Sequence, residues 1–272
     1  MAETVMEWVD KQKKRKTTST AQGGNNSSSV PVAKTAYVCK VAKDGWVSIR
    51  LDGHGTDEYS IYNYTKLTLI GLNDDGTRVR FRVEEGEWKG EKGSMILKGG
   101  VDTYISHIPP STAVPTITVK YGKIDYHWRS NARKDLYGED IKQQLATLTV
   151  NGISVTVTLC SDDQHKPLDE GIYEIAPPDY PHPRKYTEMY TVGGKINQYG
   201  LIEGGQLVGC DIVWFPIYPI SEKRYLHIGH ISHGCVTIID YEKYPEIYDY
   251  LIKFRGKGKH GDDIVAFLQV IK

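Results

Sequence analysis

Short stretches of alternating apolar and polar residues, broken at close intervals by glycine, are what most restrict the fold of this chain. Tyr37-Val38-Cys39-Lys40-Val41, Trp46-Val47-Ser48-Ile49-Arg50, Leu67-Thr68-Leu69-Ile70, Val79-Arg80-Phe81-Arg82-Val83 and Ser94-Met95-Ile96-Leu97 follow one another in the first half. Alternation of this kind buries one face of a strand. Asp44-Gly45 and Asp75-Gly76 read as hairpin turns between them. Nineteen tyrosines and twenty-seven glycines suit strands and tight turns. The expectation is a mostly β protein with a few short helices.

Composition narrows the function classes. The 34 basic and 34 acidic residues cancel, and a nucleic-acid binder would carry a basic excess. No apolar run reaches the roughly 20 residues of a membrane helix, so no membrane span is expected. The four cysteines, Cys39, Cys160, Cys210 and Cys235, are scattered, which argues against a disulfide framework. One bridge among the first three stays open. No Sec-type signal is read in Met1 to Asp10, because the basic run Lys11 to Lys16 follows that segment rather than precedes it.

Residues 1–33 read as an N-terminal segment, with a short helix over Ala2 to Lys16 and a Ser/Thr/Gly/Asn-rich linker behind it. Residues 34–115 read as a small β barrel or sandwich, ending at Pro109-Pro110. Residues 116–272 form a second β-rich unit. Within it, Thr116 to Trp128 is expected to be a hairpin turning near Gly122, and Tyr137 to Leu145 a short helix. Leu148 to Leu159 is expected to be a hairpin around Asn151-Gly152. Tyr186 to Val192 and Gly209 to Ile217 are expected to be strands. Pro177 to Pro183 reads either as a lid lining a substrate or as a rigid surface loop. Asp240 to Phe254 reads as a helix with Ile247, Tyr250, Leu251 and Phe254 inward, and Ile264 to Ile271 as the closing strand.

One stretch concentrates the chemistry. His227-Ile228-Gly229-His230-Ile231-Ser232-His233-Gly234-Cys235 holds three histidines, a serine and a cysteine. A cysteine attacks a carbonyl as its thiolate, and a histidine titrates in the range to take its proton. The pair is a candidate nucleophile and base. Gly234 permits positive φ or a close backbone approach. The spacing lacks the recognisable zinc patterns, so neither a metal nor another cofactor is expected.

Ser232-His233-Gly234-Cys235 resembles the Ser/Thr-His-Gly-Cys core of the YkuD-type L,D-transpeptidase catalytic domain. His227-Ile228-Gly229 is similar to that family's His-x-Gly element, and Pro167 to Ile175 to its Pro-x-Gly-x-aromatic strand. The resemblance implies an L,D-transpeptidase-like β domain over residues 116–272. It makes Cys235 the nucleophile and His227 the base, with His233, Ser232 and Gly234 shaping the oxyanion and substrate side. The loop between the two motifs is much shorter than is usual in the family, which leaves His230 as an alternative base. Gly229 and His230 join the expected substrate-binding set, and Arg224 reads either as a partner for a substrate carboxylate or as one half of a surface ion pair.

The implied substrate is a peptidoglycan stem peptide, crosslinked, exchanged or trimmed in the periplasm or cell wall. A related group of type VI secretion effectors uses shortened forms of this domain. That adds secretion machinery and an immunity protein as implied partners. A non-catalytic binding module with a decayed site is the alternative.

Overall fold

The computed structural model describes residues 7, 10–11, 34–96, 103–131, 141–160, 165–183, 191–192, 195–196, 202–203, 205–219, 223–259 and 263–272. The expected N-terminal helix and linker lie outside the described residues except for Glu7, Asp10 and Lys11, which are helical. The protein is mostly β and divides into two compact units. The first takes residues 1–42 and 46–109, the second 43–45 and 110–272. No helix among the described residues is long and apolar enough to cross a membrane.

The first unit is one seven-stranded antiparallel sheet. Its strands are β1 (Lys34–Val38), β2 (Trp46–Leu51), β3 (Tyr59–Tyr62), β4 (Lys66–Leu72), β5 (Arg78–Val83), β6 (Lys92–Ile96) and β7 (Ile105–Ser106), in the order β3-β2-β6-β5-β4-β1-β7. Alternation puts Leu67, Leu69, Val79, Phe81, Val83 and Met95 into one shared core. On β5 the intervening Arg78, Arg80 and Arg82 are at least partly exposed. Asp75-Gly76 joins the paired strands β4 and β5, as expected. Asp44-Gly45 does not join a hairpin: β1 pairs with β4 and β7, while β2 pairs with β3 and β6.

The second unit is a closed eight-stranded barrel. Its elements in order begin with β8 (Thr116–Tyr126), α1 (Trp128–Asn131), β9 (Lys142–Val150), β10 (Ile153–Cys160) and β11 (Gly171–Ile175). Two small ribbons follow: β12 (Thr191–Val192) pairs with β15 (Gln206–Leu207), and β13 (Lys195–Ile196) with β14 (Ile202–Glu203). Then come β16 (Phe215–Tyr218), β17 (Arg224–Ile228), β18 (Val236–Ile238), a 3-10 turn (Tyr241–Lys243) and α2 (Tyr244–Leu251). A ribbon of β19 (Gly256–Lys257) and β20 (Asp263–Ile264) precedes β21 (Ala266–Ile271). The barrel order is β10-β18-β17-β16-β11-β21-β8-β9. Its neighbours are antiparallel except β17 with β18 and β21 with β8.

Several local expectations change. No hairpin turns at Gly122; β8 runs through it with a register shift against β9 between Tyr121 and Ile124. Gln144 donates to the Gly122 carbonyl at 2.9 Å, and a Cβ at Gly122 would lie 3.2 Å from the Leu145 carbonyl oxygen. The glycine serves a bulge, not a turn. The helix expected up to Leu145 gives way to β9 from Lys142, while residues 132–140 lie outside the described set. Gly209 to Ile212 is turn, and the strand there starts only at Phe215. The Asn151-Gly152 hairpin forms, with φ of 47° and 80° at its two residues, as a tight two-residue loop needs.

In α2, Pro245 stands in the first turn, where its missing N–H costs nothing. Ile247 and Leu251 are buried as expected, but Tyr244 and Tyr248 share that face in place of Tyr250 and Phe254. The last two are half-buried and pack edge to face at 5.1 Å. The Tyr244 hydroxyl donates to the Val213 carbonyl, and that of Tyr248 to Gly45 at 3.1 Å, so both phenols enter the core with their polar ends satisfied.

Candidate active site

The two parallel strands β17 and β18 carry the site. Leu226 lies opposite Val236, His227 opposite Thr237, and Ile228 opposite Ile238. Alternation sends Leu226, Ile228, Val236 and Ile238 to one face, all of them buried. Tyr225, His227 and Thr237 take the other. Seven residues, 229–235, make the whole connection between the strands. Parallel neighbours ordinarily need a crossover of a dozen residues or more, so this return is taut.

The taut return is held from within. Gly229 N–H donates to Ile238 across the strand pair at 3.1 Å. Ser232 is buried, and its hydroxyl donates to the Cys235 carbonyl at 2.7 Å, clasping the Ser-His-Gly-Cys turn. Gly234 adopts a φ of 88°, open to glycine at little cost. Arg224 is buried, and its Nη1 donates to the His233 carbonyl. The guanidinium expected to meet a substrate carboxylate thus lies across the turn.

Cys235 is half-buried, unpaired, and stands at the head of β18. Burial pushes its thiol up, while the Tyr225 backbone N–H and the Arg224 charge pull it down without fully offsetting the burial. None of the four cysteines is in a disulfide, so no bridge forms among Cys39, Cys160 and Cys210.

His227 is buried and fixed at both nitrogens. Its Nδ1 lies 2.7 Å from the Ile228 carbonyl, which only accepts, so Nδ1 carries the proton. Nε2 is then the lone-pair nitrogen, and it takes a hydrogen bond from the Thr237 hydroxyl at 3.2 Å. The arrangement orients a neutral imidazole with its basic nitrogen toward β18. No hydrogen bond joins it to Cys235. Burial is the main reason its pKa falls to about 4, reinforced by repulsion from His182 and opposed by the Ile228 bond.

A stack of rings fixes that imidazole from the side. His227 lies on Trp214 with centroids 4.0 Å apart, Trp214 on His182 at 4.1 Å, and His182 on Tyr180 at 4.5 Å. Asp179 ties the far end, accepting from His182 Nε2 and from the Tyr225 hydroxyl, each at 3.1 Å. His182 also donates its backbone N–H to Ile212 at 3.0 Å. Within the Pro177 to Pro183 loop, Asp179 and His182 are thus anchored to Tyr225, Ile212 and Trp214. Asp179, His182 and Trp214 are the residues that sequence reasoning did not place in the site. The Pro-rich composition was their one signal, and it marked rigidity without saying what the loop touches.

The other two histidines go elsewhere. His230 is buried and lies parallel to Tyr241 of the 3-10 turn, centroids 5.8 Å apart. His233 is exposed and meets His165 edge-on, their Nδ1 atoms 3.4 Å apart. Among the described residues no group of three or more His, Cys, Asp or Glu is arranged to hold a metal ion.

The site thus places a thiol, a nearby fixed cation and a neutral imidazole of defined tautomer on one strand pair. A thiol, a cation and a neutral imidazole are the residue types that nucleophilic chemistry at a carbonyl draws on. No family model matches the chain, and no curated protein or solved structure is significantly similar to it.

Proposed function

We propose that this protein is a cysteine-dependent acyltransferase acting on peptidoglycan stem peptides in the periplasm or cell wall. The observation that carries the reading is the fixed tautomer of His227, whose basic Nε2 faces the strand that Cys235 heads. The thiol proton passes to Nε2, and the thiolate attacks the peptide carbonyl. The carbon–nitrogen bond breaks, and the imidazolium returns its proton to the leaving amine. The thioester is then resolved by an incoming amine, giving a crosslink or an exchanged residue, or by water, giving a shortened stem. For this transfer Nε2 must exchange the Thr237 hydroxyl for the thiol; catalytic hydrogen bonds commonly tighten only with substrate bound. The stem-peptide substrate rests on the resemblance of Ser232-His233-Gly234-Cys235. Delivery as an antibacterial effector by secretion machinery, paired with an immunity protein, follows from the same resemblance.

The test is a digest of purified peptidoglycan with wild type and Cys235→Ala, read by mass spectrometry. Shortened stems, exchanged terminal residues or new crosslinks should appear with the wild type alone. A second reading, a wall-binding module with a decayed site, is favoured by the missing hydrogen bond between His227 and Cys235. It would prevail if both digests were unchanged while the protein still sedimented with peptidoglycan.

A further inference from the structure

Three features meet at the turn that precedes β18. Arg224 is 8% exposed, and its Nη1 donates to the His233 carbonyl. A Cβ at Gly234 would lie 1.2 Å from that Nη1 and 2.2 Å from the Arg224 Cζ. The guanidinium therefore occupies the space that any side chain at 234 would need. Cys235 follows in the chain, and Arg224 is the charged group that favours its anion.

The other groups around the sulfur do not supply this charge. From β17 the Tyr225 backbone donates a hydrogen bond to it, but the Tyr225 hydroxyl is engaged by Asp179. His227 is buried and neutral near pH 7, with Nδ1 tied to Ile228 and Nε2 to Thr237. From the turn itself, His233 turns its ring to His165. Before any proton transfer, therefore, no imidazolium stands beside the thiol to favour its ionisation.

We propose that Arg224 is the positioning residue of the nucleophile: its guanidinium, seated in the space left by Gly234, locks the 233–235 turn and supplies the positive charge against which the Cys235 thiolate forms. Gly234 is then glycine for two reasons, its φ and the cation packed on it. The functional meaning rests on Cys235 being the nucleophile. The charge coupling itself is measurable without any substrate.

The experiment follows the rate of Cys235 alkylation by iodoacetamide from pH 6 to 11. The Cys235 peptide is quantified by mass spectrometry to separate it from Cys39, Cys160 and Cys210. Folding of each variant is checked by circular dichroism. Removal of a nearby opposite charge shifts a pKa by about 1 unit or more. Arg224→Gln should therefore slow alkylation near neutral pH about tenfold and leave the high-pH plateau unchanged. Arg224→Lys keeps the charge and should hold the midpoint within a few tenths of a unit. An unshifted midpoint in a folded Arg224→Gln overturns the proposal. If Arg224→Gln does not fold, Arg224→Lys decides: a retained midpoint supports the proposal, and a rise of a full unit ends it. A wild-type Cys235 inert at every pH ends it as well. A clear shift on Arg224→Gln combined with an unchanged peptidoglycan digest would leave the charge coupling standing and remove only the acyl-transfer reading.

Discussion

His227 shows how much an environment adds to a residue type. The sequence marks it as a histidine near a cysteine; the structure makes it a neutral imidazole with one defined tautomer. With its pKa near 4, only about one molecule in a thousand carries a second proton on that ring at pH 7. The ring ionises more readily in the unfolded chain, at about 6.5, so its contribution to stability is full above pH 6.5. That contribution declines as the pH falls toward 4, by roughly 3 kcal/mol in all. Thermal melts between pH 7 and 4 should show a steeper acid loss for wild type than for His227→Phe, which keeps a flat ring beside Trp214 but cannot titrate. Parallel acid limbs would mean that the imidazole is not neutral in the folded protein. None of this was legible beforehand. Periodicity assigns His227 to a face, whereas its partners Trp214 and His182 lie far away in sequence and follow no pattern that spacing reveals.

Between elements, the pairing of β10 with β18 sets Thr158 opposite Thr237, both fully buried. Their hydroxyls fare differently. Thr237 donates to His227, while Thr158 Oγ1 is buried without a hydrogen-bond partner among the described residues. An unsatisfied buried hydroxyl costs about 1–3 kcal/mol, and an apolar group of similar shape removes that cost. Thr158→Val should accordingly raise stability by about 1 kcal/mol in urea unfolding, whereas Thr237→Val should lower it. Destabilisation by both would show that Thr158 has a partner. Where alternation and turn chemistry act within a few residues, the elements could be read from sequence, as at Asn151-Gly152, β5 and the inward Ile247 and Leu251. Reading failed where a long-range contact redefined a local signal. Gly122 signals a turn by itself, but against Gln144 and Leu145 it becomes a bulge.

Over the whole molecule, the mostly β class was legible because strand periodicity repeats through the chain. The barrel order was not, since β21 lies between β11 and β8 and no local pattern encodes that. Nor was the assignment of residues 43–45 to the second unit. Within that unit the Lys43 carbonyl accepts from Cys210 N–H at 2.8 Å, and the Gly45 carbonyl from Tyr248. Tyr248 is a buried ring at the heart of α2. A fragment spanning 110–272 should thus melt several degrees below the same unit in the intact chain; equal melting would show that the tripeptide is dispensable. The closing position of β21 has a further consequence during biosynthesis. While a ribosome is still making residues 266–271, β8 and β11 have no neighbour between them, and two strand edges stay open to pairing with other chains. Closure of the barrel must wait for that strand to emerge.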